Sequence, residues 1–287
     1  ESRYGDLMER VLYNGFLAGV SLDGQKFFYV NPLLSIGKHH RQGWFECACC
    51  PPNVARLLAS LGNYIYSQNR RGLAVHLYIQ GSVQFYLTNG IPVTLIQETN
   101  YPWEGKIRFT VELAEPNEFA LLLRIPDWRR KYRLTVNGRQ LSASVINGYA
   151  CLKRNWNPGD WVELELEMPV EIIKAHPLVW QNQGKVALQR GPLVYCLEET
   201  DHSSPVTQIM LSKEMEFRSE YHPELLGGVT MIEGEGFINE LKEWANVLYR
   251  PIESRGPLKK VPLKFIPYFA WDNRDAGSMA VWIGELT

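Results

Sequence analysis

The sequence predicts a multidomain α + β protein, with a helical N-terminal stretch followed by two β-rich units. Three observations carry that expectation. Apolar residues recur at helical spacing near the start, the pattern switches to strict alternation from Gly72, and turn signals then return at short intervals. A chain of 287 residues has room for two domains and a third small one.

The opening "ESRYGDLMERVLYNG" reads as a helix already under way, with Leu7, Met8, Val11 and Leu12 as its apolar stripe and Gly15 as its stop. It has no initiator Met and no charged-then-apolar leader, so the chain is expected to be the C-terminal part of a longer protein. "SLDGQKFFYVNPL" suggests a hairpin, turning at Asp23-Gly24 and returning over 27–30. In "PPNVARLLASLGNYIYS", Val54, Leu57, Leu58, Leu61 and Ile65 share one helix face, and proline is tolerated in the first turn.

Strand patterns then follow at Leu73/Val75/Leu77/Ile79, Val83/Phe85/Leu87, Ile107/Phe109/Val111/Leu113 and Phe119/Leu121/Leu123/Ile125. Asn137-Gly138 marks a hairpin tip, and Val162, Leu164 and Leu166 face one way after a turn at "NPGD". Many short strands with regular turns predict a β-sandwich over 67–170. A second β unit is expected over 171–278, from "GKVALQRGPLVYCLE" to the apolar strands of "PLKFIPYFAWDNRDAGSMAVWI". Its stretch from about 201 to 236 is polar and irregular.

A net charge of −1 without any Lys/Arg block gives no footprint for nucleic acid or an anionic membrane. No apolar run approaches the ~20 residues of a membrane helix. The cysteines are more telling. Five is an odd count, and Cys47, Cys49 and Cys50 fall together in "WFECACCPPN", while Cys151 and Cys196 stand alone. Adjacent cysteines cannot bridge without a strained ring. The pattern favours a reducing compartment, hence the cytoplasm.

Pro51 and Pro52 follow the cluster at once, which places the thiols on a stiff extended segment before a helix. Unpaired N–H groups and the helix dipole there lower a thiol pKa. Neighbours along an extended chain point apart, so Cys49 and Cys50 can share one ion only if the loop bends. Zinc ligand, nucleophile, redox pair and inert buried thiol all stay open on spacing alone, and zinc would need donors from elsewhere.

"ERVLYNGFLAGVSLDGQKFFYVNPL", "CACCPPN" with the helix after it, "GKVALQRGPLVYCLE" and "IPYFAWDNRDAGSMAVWI" together resemble glycoside hydrolase family 127, the β-L-arabinofuranosidases. The resemblance implies the end of an (α/α)6 catalytic barrel at 1–66, two β-sandwich-like domains, and a final strand at 279–287 returning to the first sandwich. It implies Cys49 as the nucleophile of a retaining reaction on an oligosaccharide. Cys49 and Cys50 would be two ligands of Zn2+, with a further Glu and Cys and the acid/base Glu upstream of this sequence. Glu9 and Tyr29 would line the sugar pocket. A homodimer is an open partner arrangement.

Each residue also has a plainer reading. Glu9 is by default a solvated helix residue, and Tyr29 among Phe27, Phe28 and Val30 is a core residue with a satisfied hydroxyl. Cys47 is a structural thiol, Glu46 is not a ligand in the family pattern, and His39 and His40 read as exposed loop residues. Trp103, Trp128, Trp156, Trp161, Trp180 and Trp271 would fill core edges rather than stack on sugars. The rival functions are a carbohydrate-binding module and a structural zinc or redox protein.

Overall fold

The computed structural model describes residues 1–240, 247–249, 251 and 257–286. The chain divides into two compact units, Glu1–Tyr13 with Pro52–Pro169, and Asn14–Pro51 with Val170–Thr287. The expected helical segment 1–66 is therefore shared between them, and it is not a unit of its own.

The first unit is a sandwich. A five-stranded sheet runs in the order Ser144–Ile146, Tyr149–Trp156, Asn117–Arg124, Gly72–Val75, Tyr66–Asn69. A six-stranded sheet runs Gly81–Tyr86, Pro92–Thr99, Lys106–Leu113, Trp161–Leu166, Tyr132–Val136, Arg139–Gln140. Alternation decides which side chains meet between them. Ile107, Phe109 and Val111 from one sheet and Leu121, Leu123 and Trp156 from the other lie in a single core. Gly72–Val75 is the one parallel partner of Asn117–Arg124, and Gly72 lies across from Ala120. A Cβ on Gly72 would lie 1.9 Å from the Ala120 carbonyl oxygen, and its φ of +155° also favours glycine.

Helix among the described residues is limited to short segments, chiefly Ser2–Arg10 and Cys50–Ser60, too little to display an (α/α)6 barrel. The apolar stripe of the first helical stretch is split, with Leu12 buried and Met8 half-buried. Leu7 and Val11 are exposed, whereas Asp6 and Glu9 are buried. The reason is Arg124, whose side chain is wholly enclosed and needs carboxylates beside it. On the second helix Val54 and Leu57 are only half-buried and Leu58 is exposed.

Among the described residues the strands of the second unit form one ten-stranded sheet and not a pair of facing sheets. Its order runs Leu34–Ile36, Ser278–Ala280, Leu193–Glu198, Leu258–Pro267, Val229–Asn239, Met210–Ser212, Ile283–Leu286, Lys185–Arg190, Val170–Lys174, with Arg218–His222 attached to Val229–Asn239. Leu193–Glu198 also pairs with Lys185–Arg190, so six strands form a closed ring. Closure leaves those strands no free edge. The final strand differs from the expectation. Ile283–Leu286 pairs with Lys185–Arg190 and, in parallel, with Met210–Ser212, all inside this unit. The expected 21–30 hairpin shrinks to isolated bridges from Phe27 to Val20 and Gln42, with Gly24 taking the left-handed turn at φ +72°. No helix among the described residues is long and apolar enough to cross a membrane.

Candidate active site

The thiols face outward. Cys47 and Cys49 are exposed and Cys50 is half-buried, whereas Cys196 lies in the core of the second unit, where burial holds its thiol protonated. None is bridged to another. Cys50 is already helical, the first residue of Cys50–Ser60, although it precedes a proline. In a first turn the N–H that proline lacks has no intrahelical partner to lose. This bend at Cys50 is what brings neighbouring side chains to one side, with the Cys49 and Cys50 sulfurs 3.7 Å apart.

Tyr29 completes the group. Its hydroxyl lies 2.8 Å from the Cys49 sulfur. It is not a core residue, being 42% exposed, because Phe28 takes the inward position of that segment. Phe45 meets the Tyr29 ring edge-on at 5.0 Å and Trp44 meets Phe27 at 5.9 Å. The electrostatics assign roles. The hydrogen bond from Tyr29, and then that from Cys50, hold the Cys49 thiol below its ordinary pKa, with the main-chain N–H groups of Cys49 and Cys50 adding to them. The same contact pushes Tyr29 up to about 12, and Cys50 is raised chiefly by its contact with Cys49. Of the three groups Cys49 is the one whose charged form this contact favours.

Glu9 belongs to the first unit, and it is not a solvated residue. It is 1% exposed. Its Oε1 accepts from the Tyr101 hydroxyl at 2.6 Å and from Arg124 Nη2 at 2.5 Å, and its Oε2 accepts from Trp128 Nε1 at 3.1 Å. Arg124 Nη1 also reaches Asp6 at 2.5 Å. Sequence reasoning passed over Arg124 and Tyr101. The available signal was an arginine closing the apolar run "FALLLRIP".

His39 and His40 are engaged loop residues. His39 stacks on Phe28 at 4.9 Å, and His40 Nδ1 lies 2.6 Å from Asp272. Of the tryptophans, Trp156 and Trp271 are buried, Trp103, Trp128 and Trp161 are half-buried, and Trp180 is 72% exposed. Among the described residues no three His, Cys, Asp or Glu side chains gather as a metal site.

Three family models match the chain in succession. They are the "Beta-L-arabinofuranosidase, GH127 catalytic domain" at residues 1–63, the "GH127 middle domain" at 72–168, and the "Glycoside hydrolase family 127 C-terminal domain" at 170–284. The chain belongs to glycoside hydrolase family 127. Within the family it is 35% identical to a "Non-reducing end beta-L-arabinofuranosidase" of Bifidobacterium longum subsp. longum, over 98% of this chain and 45% of that protein. A crystal structure of a GH127 β-L-arabinofuranosidase from Geobacillus stearothermophilus T6 superposes with a TM-score of 0.94 at 47% identity, covering 100% of this chain and 47% of the other. A second GH127 β-arabinofuranosidase structure gives a TM-score of 0.90 at 37% identity, covering 100% and 46%. The chain spans less than half the length of these relatives.

Proposed function

We propose that this chain is the C-terminal portion of a retaining glycoside hydrolase that releases L-arabinofuranose from β-linked arabino-oligosaccharides, with Cys49 as its nucleophile. Membership of family 127 supports the class of reaction, and the names of the relatives support the sugar. The observation that carries the nucleophile is an exposed Cys49 sulfur 2.8 Å from the Tyr29 hydroxyl and 3.7 Å from the Cys50 sulfur.

A retaining reaction needs a nucleophile on one face of the anomeric carbon and an acid on the other. The Cys49 sulfur forms the bond to that carbon as the glycosidic oxygen departs with a proton from the acid. Water then displaces the sulfur. A sulfur within hydrogen-bond reach of the Tyr29 hydroxyl is prepared for the charge it carries before attack and after release. Tyr29 is placed to donate to the sulfur and then to a sugar hydroxyl. A sugar contact by Glu9 would require one of its three present donors to be exchanged.

The thiol pair also fits zinc. Two ligands at about 2.3 Å in tetrahedral geometry lie about 3.8 Å apart, and the two sulfurs are 3.7 Å apart. Cys49 and Cys50 would be its ligands from this chain. The upstream Glu and Cys of the family pattern would complete the four, and an upstream Glu would be the acid. When bound, the ion keeps the sulfurs deprotonated and makes Cys49 a better leaving group. The helices 2–10 and 50–60 would then close the (α/α)6 barrel, and the unbridged cysteines suit the cytoplasm.

The test is hydrolysis of an aryl β-L-arabinofuranoside by the full-length protein, with Cys49→Ser alongside. The reading stands if activity vanishes with the thiol, and a Cys49→Ser enzyme with normal turnover would end it. The exposed Trp180 favours one rival, a sugar-binding β module. Residues 67–287 binding arabino-oligosaccharide alone, and losing it in Trp180→Ala, would support that rival instead.

A further inference from the structure

Tyr29 and Cys49 sit on two chain limbs that no extended ladder joins. One residue ties into both, through its side chain on one and its main chain on the other. Arg41 is 5% exposed. Its Nη1 donates to the Trp271 carbonyl at 2.5 Å, and its Nη2 donates to the carbonyls of Ala18 at 2.9 Å and Phe269 at 3.2 Å. The guanidinium carbon lies 4.3 Å over the ring of Phe28, the residue before Tyr29, and Phe28 stacks on Trp271 at 4.9 Å. The limb leading to Tyr29 is thereby clamped from one side.

The limb leading to Cys49 starts from the same residue. The Arg41 main-chain N–H donates to Asp272 Oδ2 at 2.8 Å, and the adjacent His40 ring meets Oδ1 of that carboxylate at 2.6 Å. Gln42 and Phe27 exchange both main-chain hydrogen bonds, at 2.8 and 2.9 Å. The two limbs are therefore tied two residues before Tyr29 and seven before Cys49. Burial lowers the Arg41 pKa to about 10, which still leaves it cationic at neutral pH. Its planar fork meets three carbonyls at once, which an ammonium on a flexible stem does not reproduce.

We infer that Arg41 is a positioning residue that sets the Tyr29–Cys49 contact, with Asp272 anchoring its main chain. The kinetic test of this inference rests on the proposed glycosidase reading, and the chemical test does not. In the full-length enzyme, Arg41→Lys should lower kcat on an aryl β-L-arabinofuranoside on the order of 100-fold while KM moves less than about threefold, because the reacting atoms are misplaced and the sugar contacts are kept.

The discriminating readout is a double-mutant cycle with Tyr29→Phe. If Arg41 acts through the Tyr29–Cys49 contact, the double variant is about as slow as the slower single variant. Independent, multiplying effects overturn the inference, as does an Arg41→Lys enzyme with wild-type kcat. Should circular dichroism show Arg41→Lys unfolded, Asp272→Asn takes its place in the same cycle, and the same two outcomes decide. The cycle is repeated without substrate, reading iodoacetamide alkylation of Cys49 by peptide mass. Here Arg41→Lys and Tyr29→Phe should shift the rate alike and not further in combination, and independent shifts overturn the inference. If the wild type hydrolyses no arabinofuranoside, the proposed function falls, and the alkylation cycle still decides the role of Arg41.

Discussion

Cys49 differs from Cys50 although they are adjacent and of one type. The thiol of the first is held below its ordinary pKa, first by the Tyr29 hydroxyl and then by Cys50, and that of the second is raised chiefly by its contact with Cys49. Replacing Cys50 with serine in the full-length enzyme should cost activity and bound zinc by more than the roughly 10–100-fold that changes to outer-shell partners produce. Assay and metal analysis check it, and retention of one zinc per chain would remove Cys50 from the ligand set. Arg124 shows the same dependence on surroundings in the interior. It is fully enclosed between Asp6 and Glu9. Arg124→Met leaves two carboxylates without their cation and should destabilise the first unit by ~3–5 kcal/mol, read from urea unfolding. A loss under about 1 kcal/mol would mean that the ion pairs are replaceable by packing. The special character of Cys49 was legible from "CACCPPN", whereas Arg124 and Arg41 were not, because a buried guanidinium is recognised only by the carboxylates and carbonyls that gather around it.

At the scale of elements, alternation in the first unit translated directly into structure. Strands marked by Ile107/Phe109/Val111 and Phe119/Leu121/Leu123 put those residues into one core, since period-two patterning needs only a face to bury. Gly72 shows what the pattern omits. It allows the parallel approach to Ala120, so Gly72→Ala should cost on the order of 3 kcal/mol through displacement of that strand. An unchanged melting temperature would refute the close approach. The helices were harder to read. Of the stripe only Leu12 is buried, and Leu7 and Val11 are exposed because Asp6 and Glu9 must meet Arg124; the pull of an enclosed charge on its counter-ions exceeds the ~1.5–3 kcal/mol from burying an aliphatic side chain. The 21–30 hairpin failed for a different reason. Gly24 makes its turn, but Phe28 stacks on Trp271 and leaves Phe27 alone to bridge.

For the molecule as a whole, pH dependence follows from a half-buried histidine. His76 hydrogen-bonds Tyr149 and Ser67, and its pKa is lowered, first by burial and then by Arg124. A histidine depressed in the folded state contributes stability that is complete above its unfolded pKa, near 6.5. That stability is lost as pH falls from there through the folded value. The first unit should therefore weaken on acidification below about pH 6.5, and His76→Gln should flatten the slope in melts from pH 7.5 to 5. An equally steep slope in the variant would place the effect elsewhere. By itself the order of residues determined that the chain is mostly strand after Gly72, that its cysteines are not bridged to one another, and that its family is a glycosidase family. Those properties depend on local periodicity, on spacing and on motif. The closed ring of the second unit, the final strand joining that ring, and the bend that sets the Cys49 and Cys50 sulfurs 3.7 Å apart came only with the folded chain. Each depends on which distant segments pair or pack, and one-dimensional periodicity carries no information about that choice.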